Sequence, residues 1–459
     1  MRFTSSFERT FKQLLPSPFS IAIVLTIVSF VMAFLFTKPV GEGIGYVLEL
    51  GNYWQGGLWN APLMVFAMQM MLMLVLGHAL ALSKPISRGL DRVIPKLDNT
   101  AKAAFWVCLL TLCVAFVNWG LGLVFGALFA RKVAESKLKL GQAFNYPLIG
   151  AAGYSGLMVW HGGLSGSAPV KANDAGHIKE LVSGNEELIA QLPEMVSASE
   201  TLFGSMNITT SILLLAIVPL AYWLIGKKSS NKVFALASKM KIDSVEEKPK
   251  GAEKIDTLFG VSQIIGGLIL AFAGYSAITN PSGGLSLLTP NFINLCLLGG
   301  ALFLHKNIRS FLSAVDDAIG GAAGILIQFP LYFGIMGVMK DSGLINMMVE
   351  FLASNSTATS FPIITFFSAG LINIFIPSGG GQWAVQGPII IQTATELNIP
   401  LGKVIMAMAY GDQLTNMLQP FWALPLLGIT GLKAKEILPY TLFIMLVGMV
   451  IFLSSLILF

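Results

Sequence analysis

Long runs of residues without a charged side chain restrict the fold of this chain more than any other feature. The sequence of 459 residues is 54% apolar and only 12% charged, whereas soluble domains carry about 25% charged residues. A helix needs about 20 apolar residues to cross the hydrocarbon core of a bilayer, so the runs predict an all-helical protein that crosses a membrane several times. Residues 43–60, which hold two tryptophans among glycines, are predicted to lie at the membrane interface. The predicted spans are residues 19–36, 61–83, 147–161, 206–226, 257–277, 291–304, 319–339, 402–425 and 437–459.

The charged loops between these runs predict how the chain is oriented. Lysine and arginine concentrate in cytoplasmic loops, and the segments on both sides of residues 103–130 are basic. Residues 170–205 are mainly acidic and are predicted to be external. The lysine-rich residues 227–256 are predicted to be a cytoplasmic linker between two halves, 1–226 and 257–459. The net charge of +5 is spread over short loops, which is typical of loops facing anionic lipid and not of a nucleic-acid surface.

One uncharged stretch does not fit a single span. Residues 103–130 lie between two basic loops, so both ends are predicted to be cytoplasmic. One helix over this stretch would be about 42 Å long, whereas two crossings of the core need about 60 Å. A re-entrant hairpin that turns near Asn118-Trp119-Gly120 satisfies both ends. Non-helical backbone at membrane depth is tolerated only where protein or a water-filled cavity covers it, so the turn is predicted to be covered in that way.

Three polar residues recur in similar contexts, and in the same order, in the second half of the chain. Their nearly constant spacing predicts an internal repeat. The repeated pairs are Asn118 and Asn373 at an offset of 255, Tyr154 and Tyr410 at an offset of 256, and Gln69 and Gln328 at an offset of 259.

The loop charges give these two halves opposite orientations. The counterpart of the first hairpin lies near residues 361–392 and is predicted to enter the membrane from outside. The predicted fold is therefore an all-α polytopic membrane protein of two inverted-topology repeats, each with a re-entrant hairpin and an interrupted transmembrane helix. Such repeats are typical of alternating-access transporters, in which the solute site lies near the midplane of the bilayer.

Asp412 is the only acidic residue inside a predicted span. A carboxylate at that depth costs on the order of 3 kcal/mol unless it faces a polar cavity, so Asp412 is predicted to take a proton or to help hold a cation. A structural hydrogen bond to a neighbouring helix is the alternative. Gly411 and Pro420 are predicted to interrupt the helix around it and to free backbone groups. The other predicted ion-coupling residues are Gln413, Tyr154, Tyr410 and His161.

The two predicted hairpin turns are the candidate solute-binding segments. Glycine lets backbone N–H groups approach a ligand, and the half-helix that follows presents its positive N-terminal end. Because the span interiors lack lysine and arginine, an anionic solute would be held by these dipoles, by hydroxyl and amide donors and by any bound cation, which suits one carboxylate. For each polar residue, hydrogen bonding between helices is the alternative. The predicted solute-binding residues are Asn118, Trp119, Gly120, Ser165, Ser167, Asn373, Ser378, Gly379, Gly380, Trp383, Asn416 and Trp422.

One pattern points to an enzyme instead of a transporter. Gly163-Leu164-Ser165-Gly166 matches the short GxSG pattern of rhomboid-type intramembrane serine proteases. Such a protease needs a general-base histidine on a neighbouring helix, and His161 is too close in sequence to supply it. The sequence has no HExxH, P-loop or Rossmann glycine pattern. We therefore expect no enzyme activity, no metal and no cofactor other than a coupling proton or sodium ion. A passive channel and a protease at Ser165 stay open as alternatives.

Four strings carry a resemblance to a known family: Val117–Gly120, Trp160–Ser167, Ile376–Trp383 and Gln419–Pro425. Through them, and nearly from end to end, the sequence resembles the bacterial short-chain fatty acid transporter family. The resemblance implies uptake of short acids such as acetoacetate or butyrate across the bacterial inner membrane. Kinship with a wider ion-transporter superfamily implies two opposed hairpins that hold the substrate, a transport domain that moves like an elevator, and a homodimer.

These observations together predict a secondary active transporter that imports a short-chain monocarboxylate by cation symport. An exporter and a carrier for dicarboxylates stay open as alternatives within the transporter class. We expect the carboxylate to bind between the turns near Asn118 and Ser378. The acyl tail is expected to contact Trp119, Trp383 or Trp422, and Asp412 is expected to respond to the co-imported cation.

Overall fold

The computed structural model of the chain describes residues 16–39, 43–183, 185–229, 251–279 and 289–459. In these ranges the protein is almost entirely helical and contains no β-strand. Seven helical stretches of the described ranges are long and apolar enough to cross a membrane. The chain is thus a multi-pass membrane protein, as the sequence predicts.

Within the described ranges, eight helices of nine or more residues precede the predicted linker. They are α1 (Pro18–Phe36), α2 (Ile44–Leu58), α3 (Ala61–Leu82), α4 (Lys84–Val93), α5 (Thr100–Val117), α6 (Trp119–Lys139), α7 (Tyr146–Tyr154) and α8 (Ser205–Lys228). Short helices between α7 and α8 are Ala168–Lys171, His177–Leu181 and Glu186–Gln191.

Ten further helices of at least nine residues follow in the part of the chain that the structure describes. They are α9 (Val261–Thr279), α10 (Pro290–Leu304), α11 (Ile308–Ile319), α12 (Ala323–Asp341), α13 (Leu344–Ser354), α14 (Phe361–Phe375), α15 (Gly379–Glu396), α16 (Leu401–Thr415), α17 (Pro420–Thr430) and α18 (Ala434–Leu458). Of the predicted linker, residues 230–250 lie outside the described residues, and a short helix at Lys254–Thr257 precedes α9.

The order of elements in the first half recurs in the second. In each half a long apolar helix is followed by a short helix, then by two helices that meet at a turn, then by an interrupted segment and a long final helix. The two helices that meet at a turn are α5 and α6 in the first half and α14 and α15 in the second. The opposite orientation of the halves and the re-entrant course of these helix pairs remain predictions.

Two predicted spans are broken more sharply than expected. Residues 147–161 form only the nine-residue α7, after which the chain continues in 3-10 turns at 155–158 and 160–162. Residues 402–425 divide into α16 and α17 between Thr415 and Pro420. The prediction that Gly411 interrupts this helix is wrong, because Gly411 lies within α16.

Gly411 instead allows two helices to pack closely. A Cβ added there would lie 2.0 Å from the carbonyl oxygen of Phe366 on α14, which is far inside van der Waals contact. A matching contact occurs in the first half, where a Cβ on Gly126 of α6 would lie 2.0 Å from the carbonyl oxygen of Gly153 on α7. The glycines thus hold each interrupted segment against its own helix pair. Residues 43–60, predicted to be interfacial, form α2, which packs along α12.

Candidate functional site

The first turn joins α5 to α6 through a single residue, Asn118. Its backbone is extended, with φ −150° and ψ 125°, and its side-chain oxygen accepts from the N–H of Leu121 at 3.0 Å. This N-cap satisfies one of the backbone donors that the start of a helix leaves free. A Cβ added to Gly120 would lie 2.3 Å from the sulfur of Met73, so that side chain would have to move to accommodate it.

The second turn has the same construction around Ser378. The Ser378 backbone is extended, with φ −151° and ψ 104°, and its hydroxyl oxygen accepts from the N–H of Gly381 at 3.2 Å. The N–H groups of Gly379 and Gly380 have no acceptor among the described residues. The start of α15 therefore offers two free backbone donors beside a hydroxyl group.

The interrupted segment that follows α7 rests on the first turn. The N–H of Leu164 donates to the carbonyl of Phe116 at 2.8 Å, and the hydroxyl oxygen of Ser165 accepts from the N–H of Trp119 at 3.0 Å. Nothing in the described part of the chain joins the Ser165 hydroxyl to His161 by a hydrogen bond. The arrangement required of a serine nucleophile and its base is therefore not formed between these two residues.

A buried histidine–carboxylate pair joins the two halves. His161 Nδ1 lies 2.8 Å from Asp412 Oδ2, and the two side chains are 0% and 1% exposed. The N–H of Ala168 donates to His161 Nε2 at 3.1 Å. Since Nε2 accepts a hydrogen bond, a neutral imidazole would carry its proton on Nδ1, the nitrogen that faces the carboxylate.

This pair lies directly beneath the second turn. A Cβ on Gly379 would be 2.9 Å from Asp412 Oδ2 and 3.0 Å from His161 Cε1. The ring of Trp160 stacks on the His161 ring, with 4.4 Å between their centroids. A change in the charge or position of the pair would therefore alter the surroundings of Gly379, at the start of α15.

Two of the predicted ion-coupling residues brace the interrupted segments across the halves. The side-chain oxygen of Gln413 accepts from the N–H of His161 at 3.0 Å. The Tyr154 hydroxyl lies 2.7 Å from the carbonyl oxygen of Asn416 and 3.1 Å from that of Gln419, and it donates to both. Because the break between α16 and α17 leaves carbonyls without helical partners, Tyr154 stabilises that break from the other half.

Tyr410 contacts the interrupted segment after α7 indirectly, through the side chain of Asn207. Its hydroxyl donates to the side-chain oxygen of Asn207 at 3.1 Å, and the Asn207 amide donates to the carbonyl of Gly162 at 2.8 Å. Asn207 was not predicted as a site residue, because in sequence it is only one polar residue near the start of an apolar run.

Three predicted solute-binding residues are buried behind the second turn. The Asn373 amide nitrogen lies 2.9 Å from the Asp412 carbonyl oxygen and 2.9 Å from the side-chain oxygen of Asn416, and both asparagines are fully buried. Trp383 is also buried, and its indole N–H donates to His177 Nε2 at 3.0 Å. The structure thus assigns these side chains to contacts that hold the turn and its helices.

A cavity of about 910 Å³ lies between the two turns. Seven of the predicted solute-binding residues line it, together with Trp160 and Leu164 of the string Trp160–Ser167 and with Phe66, which the sequence did not indicate. Five predicted residues, Asn118, Gly120, Asn373, Trp383 and Asn416, do not line it. The seven that do are Trp119, Ser165, Ser167, Ser378, Gly379, Gly380 and Trp422.

Aromatic rings form one wall of this cavity. The Trp119 and Trp422 centroids are 5.0 Å apart, and Trp160 and Phe66 lie 5.9 and 6.2 Å from Trp119. Trp160 could be recognised as a site residue from its position beside His161. Nothing in the apolar run around Phe66 distinguishes that residue in sequence. Hydroxyl and backbone N–H groups from Ser167 and the second turn line the same cavity.

Among the described residues, the charged side chains that line this cavity lie where it reaches the surface. Lys171 and Asp174 are exposed and form an ion pair of 3.0 Å with each other. The indole nitrogens of Trp160 and Trp422 have no hydrogen-bond acceptor in the described ranges. The inner cavity therefore combines an apolar wall with uncharged hydrogen-bond donors, which is the chemistry that a small monoanion with an apolar tail requires.

Comparison with known proteins identifies the family. The profile of the family described as "Short chain fatty acid transporter" matches residues 1–459. A protein of Escherichia coli (strain K12) is 36% identical over 451 residues, which cover 97% of this chain and 96% of that protein. A protein of Haemophilus influenzae (strain ATCC 51907 / DSM 11121 / KW20 / Rd) is 36% identical over 443 residues, which cover 95% of each chain. Both carry the name "Putative short-chain fatty acid transporter".

Two solved transporter structures are similar over most of their length. MtrF of Neisseria gonorrhoeae, described as illuminating a class of antimetabolite efflux pumps, matches with a TM-score of 0.44 and 14% identity over 97% of both chains. YdaH of Alcanivorax borkumensis, described as having an unusual topology, matches with a TM-score of 0.42 and 15% identity over 96% of this chain and 97% of that one. From the match of the family profile over the whole chain and the two relatives, this chain belongs to the short-chain fatty acid transporter family.

Proposed function

We propose that this chain is a secondary active transporter that imports short-chain monocarboxylates, such as butyrate or acetoacetate, through the cavity between the two turns. Family membership and the names of the two relatives support the class of substrate. The observation that carries the proposal is that uncharged donors of the second turn and an aromatic wall line one cavity.

The carboxylate binds at the start of α15 in this proposal. The free N–H groups of Gly379 and Gly380 lie at the N-terminal end of an 18-residue helix, where the helix dipole favours a negative charge. A Cβ on Gly380 would lie 4.0 Å from the Ser167 hydroxyl oxygen and would meet no other atom within 4 Å. A carboxylate in that space can accept from the backbone of the turn and from Ser167 together.

The acyl tail lies against Trp119 and Trp422. Burying a methylene group contributes about 0.8 kcal/mol, so the tail of a four-carbon acid contributes about 2 kcal/mol on the aromatic wall. A dicarboxylate would place a second charge against this wall, which among the described residues has no cationic side chain, since Lys171 lines the cavity only at its exposed end. The proposed site therefore favours monocarboxylates.

Cation symport is the proposed source of energy. An inside-negative potential opposes entry of one anion by about 2.3 kcal/mol per 100 mV, and one co-imported proton or sodium ion cancels this cost. The His161–Asp412 pair beneath Gly379 is the proposed sensor of that cation, because it touches the turn that binds the carboxylate. An elevator-type movement of the turns is part of the proposal and rests on the family resemblance.

Uptake of labelled butyrate into liposomes that contain the purified protein tests this function. A proton gradient and then a sodium gradient are imposed, each with and without a membrane potential, and protein-free liposomes measure leakage through lipid. Gly380→Val, which fills the proposed carboxylate space, is compared with Gly274→Ala, whose added Cβ meets no atom within 4 Å. We expect gradient-driven accumulation that Gly380→Val abolishes and Gly274→Ala preserves. Absence of uptake above the protein-free control, with folded protein, would refute the proposed substrate class.

The same preparation separates the two alternatives. A passive channel would carry butyrate without accumulating it under any gradient. A serine protease would be labelled at Ser165 by a fluorophosphonate, whereas we expect no labelling because that hydroxyl is bonded to Trp119 and not to a histidine.

A further inference from the structure

Trp383 connects the second turn to a segment outside the predicted spans. It lies on α15, five residues after Ser378, and its indole N–H donates to His177 Nε2 at 3.0 Å. His177 begins the short helix His177–Leu181 within residues 170–205. The hydrogen bond therefore ties the helix that carries the proposed carboxylate site to the segment that borders the mouth of the cavity.

This hydrogen bond requires a neutral histidine. An indole N–H can only donate, so His177 must offer the lone pair of Nε2. A protonated imidazole carries a hydrogen on both nitrogens and has no lone pair to offer. Protonation would therefore replace the hydrogen bond by two donors facing each other.

Burial favours the neutral form of His177, and the two carboxylates beside it partly oppose that effect. Burial and, to a lesser extent, Lys171 lower the pKa of His177 below its usual value, whereas Glu180 and Asp174 raise it in part. His177 Nδ1 lies 4.0 Å from Glu180 Oε2, and the side chain is 21% exposed. Since the pKa is lowered, the contact with Trp383 is intact at neutral pH and is lost as the pH falls through that lowered value.

The other charged residue of the short helix is occupied elsewhere. Lys179 forms an ion pair of 2.7 Å with Glu194. The charged groups that act on the pKa of His177 are therefore Lys171, Asp174 and Glu180.

Trp383 also anchors an apolar contact between α15 and this segment. It belongs to one buried cluster with Ile178 of the short helix and Ile390 of α15. Its ring covers Gly387, where an added Cβ would lie 2.9 Å from a ring carbon. Because the ring packs in this apolar cluster as well as forming the hydrogen bond, losing the bond loosens a contact between α15 and the short helix.

We propose that the His177–Trp383 hydrogen bond is an acid-sensitive latch, which holds α15 and the turn at Ser378 in place until acidification protonates His177 and releases them. This inference rests on the proposed function in one respect, namely that the turn at Ser378 is part of the substrate site.

Hydrogen exchange of the full-length protein, followed by mass spectrometry at pH 7.5 and pH 5, tests the latch. Exchange is corrected for its intrinsic pH dependence, and protection of residues 383–390 is compared with that of residues 123–130 on α6, the corresponding helix of the first half. One net hydrogen bond corresponds to roughly two- to tenfold in protection. In the wild-type protein we expect protection of residues 383–390 to fall by that factor at pH 5, with no change on α6.

Two variants distinguish the latch from a general effect of acid. His177→Gln retains an oxygen acceptor for the indole but cannot be protonated, so protection should stay high at both pH values. Trp383→Phe removes the donor, so protection should be low at both. Loss of protection at pH 5 in His177→Gln, or its retention in the wild-type protein, would overturn the proposal. Because no substrate is present, failure of butyrate transport would leave this result intact, and the two proposals fail independently.

Discussion

Asp412→Asn is the substitution that most directly tests how transport is coupled. The new side chain has nearly the same shape, and its oxygen can still accept from His161 Nδ1, which lies 2.8 Å from the carboxylate in the native protein. What the change removes is the negative charge and the ability to take a proton at a position that is 1% exposed.

The expected effects on stability and on transport differ in size. Removing the charge weakens the contact of 2.8 Å with His161, but the desolvation cost of a buried charge, which is several kcal/mol per ion, is removed with it. We therefore expect the unfolding temperature to change little. Without a coupled cation, however, a potential of −100 mV opposes anion entry by about 2.3 kcal/mol, which excludes the substrate about 50-fold.

Accumulation of labelled butyrate at an imposed potential is the measurement. The wild-type protein should concentrate butyrate when the coupling gradient is imposed, whereas Asp412→Asn should leave it excluded about 50-fold or stop net uptake. Gly274→Ala is the control, because its added Cβ meets no atom within 4 Å and it lies outside the His161–Asp412 pair, so accumulation should persist. Full gradient-driven accumulation by Asp412→Asn would refute the role assigned to this carboxylate.

Three further predictions concern the packing around the site. Tyr154→Phe removes the donor to two buried carbonyls at the break between α16 and α17, which should cost about 1–3 kcal/mol and lower the unfolding temperature measured in detergent; an unchanged temperature would show that water replaces the hydroxyl. Gly411→Ala places a Cβ 2.0 Å from a carbonyl oxygen and should prevent correct folding. Gly274→Ala, with open space around it, should instead gain up to about 1 kcal/mol of stability from helix propensity. Size-exclusion profiles and thermal unfolding compare the two variants. Trp119→Leu removes part of the aromatic wall and should raise the KM for butyrate about tenfold, corresponding to roughly 1.4 kcal/mol; a folded variant with unchanged KM would place the acyl tail elsewhere.

The amino-acid sequence alone determined the membrane architecture and the chemically unusual points along it. Lipid cannot hydrogen-bond backbone groups and disfavours charge, so uncharged runs indicate helices, and a lone Asp412 within one of them indicates a special environment. The breaks at Asn118 and near Ser378 were also predictable, because glycine, asparagine and serine beside a helix start are local signals.

Only the tertiary structure decided which of these residues meet. His161 and Asp412 are 251 positions apart in sequence, and no local pattern of either predicts a 2.8 Å contact. Trp383 and Trp422 are both tryptophans near the predicted site, yet one is turned to His177 and the other lines the cavity. Which way a side chain points depends on how helices from the two halves pack against each other, and that packing is set by close contacts such as the one at Gly411, which involve atoms distant in sequence.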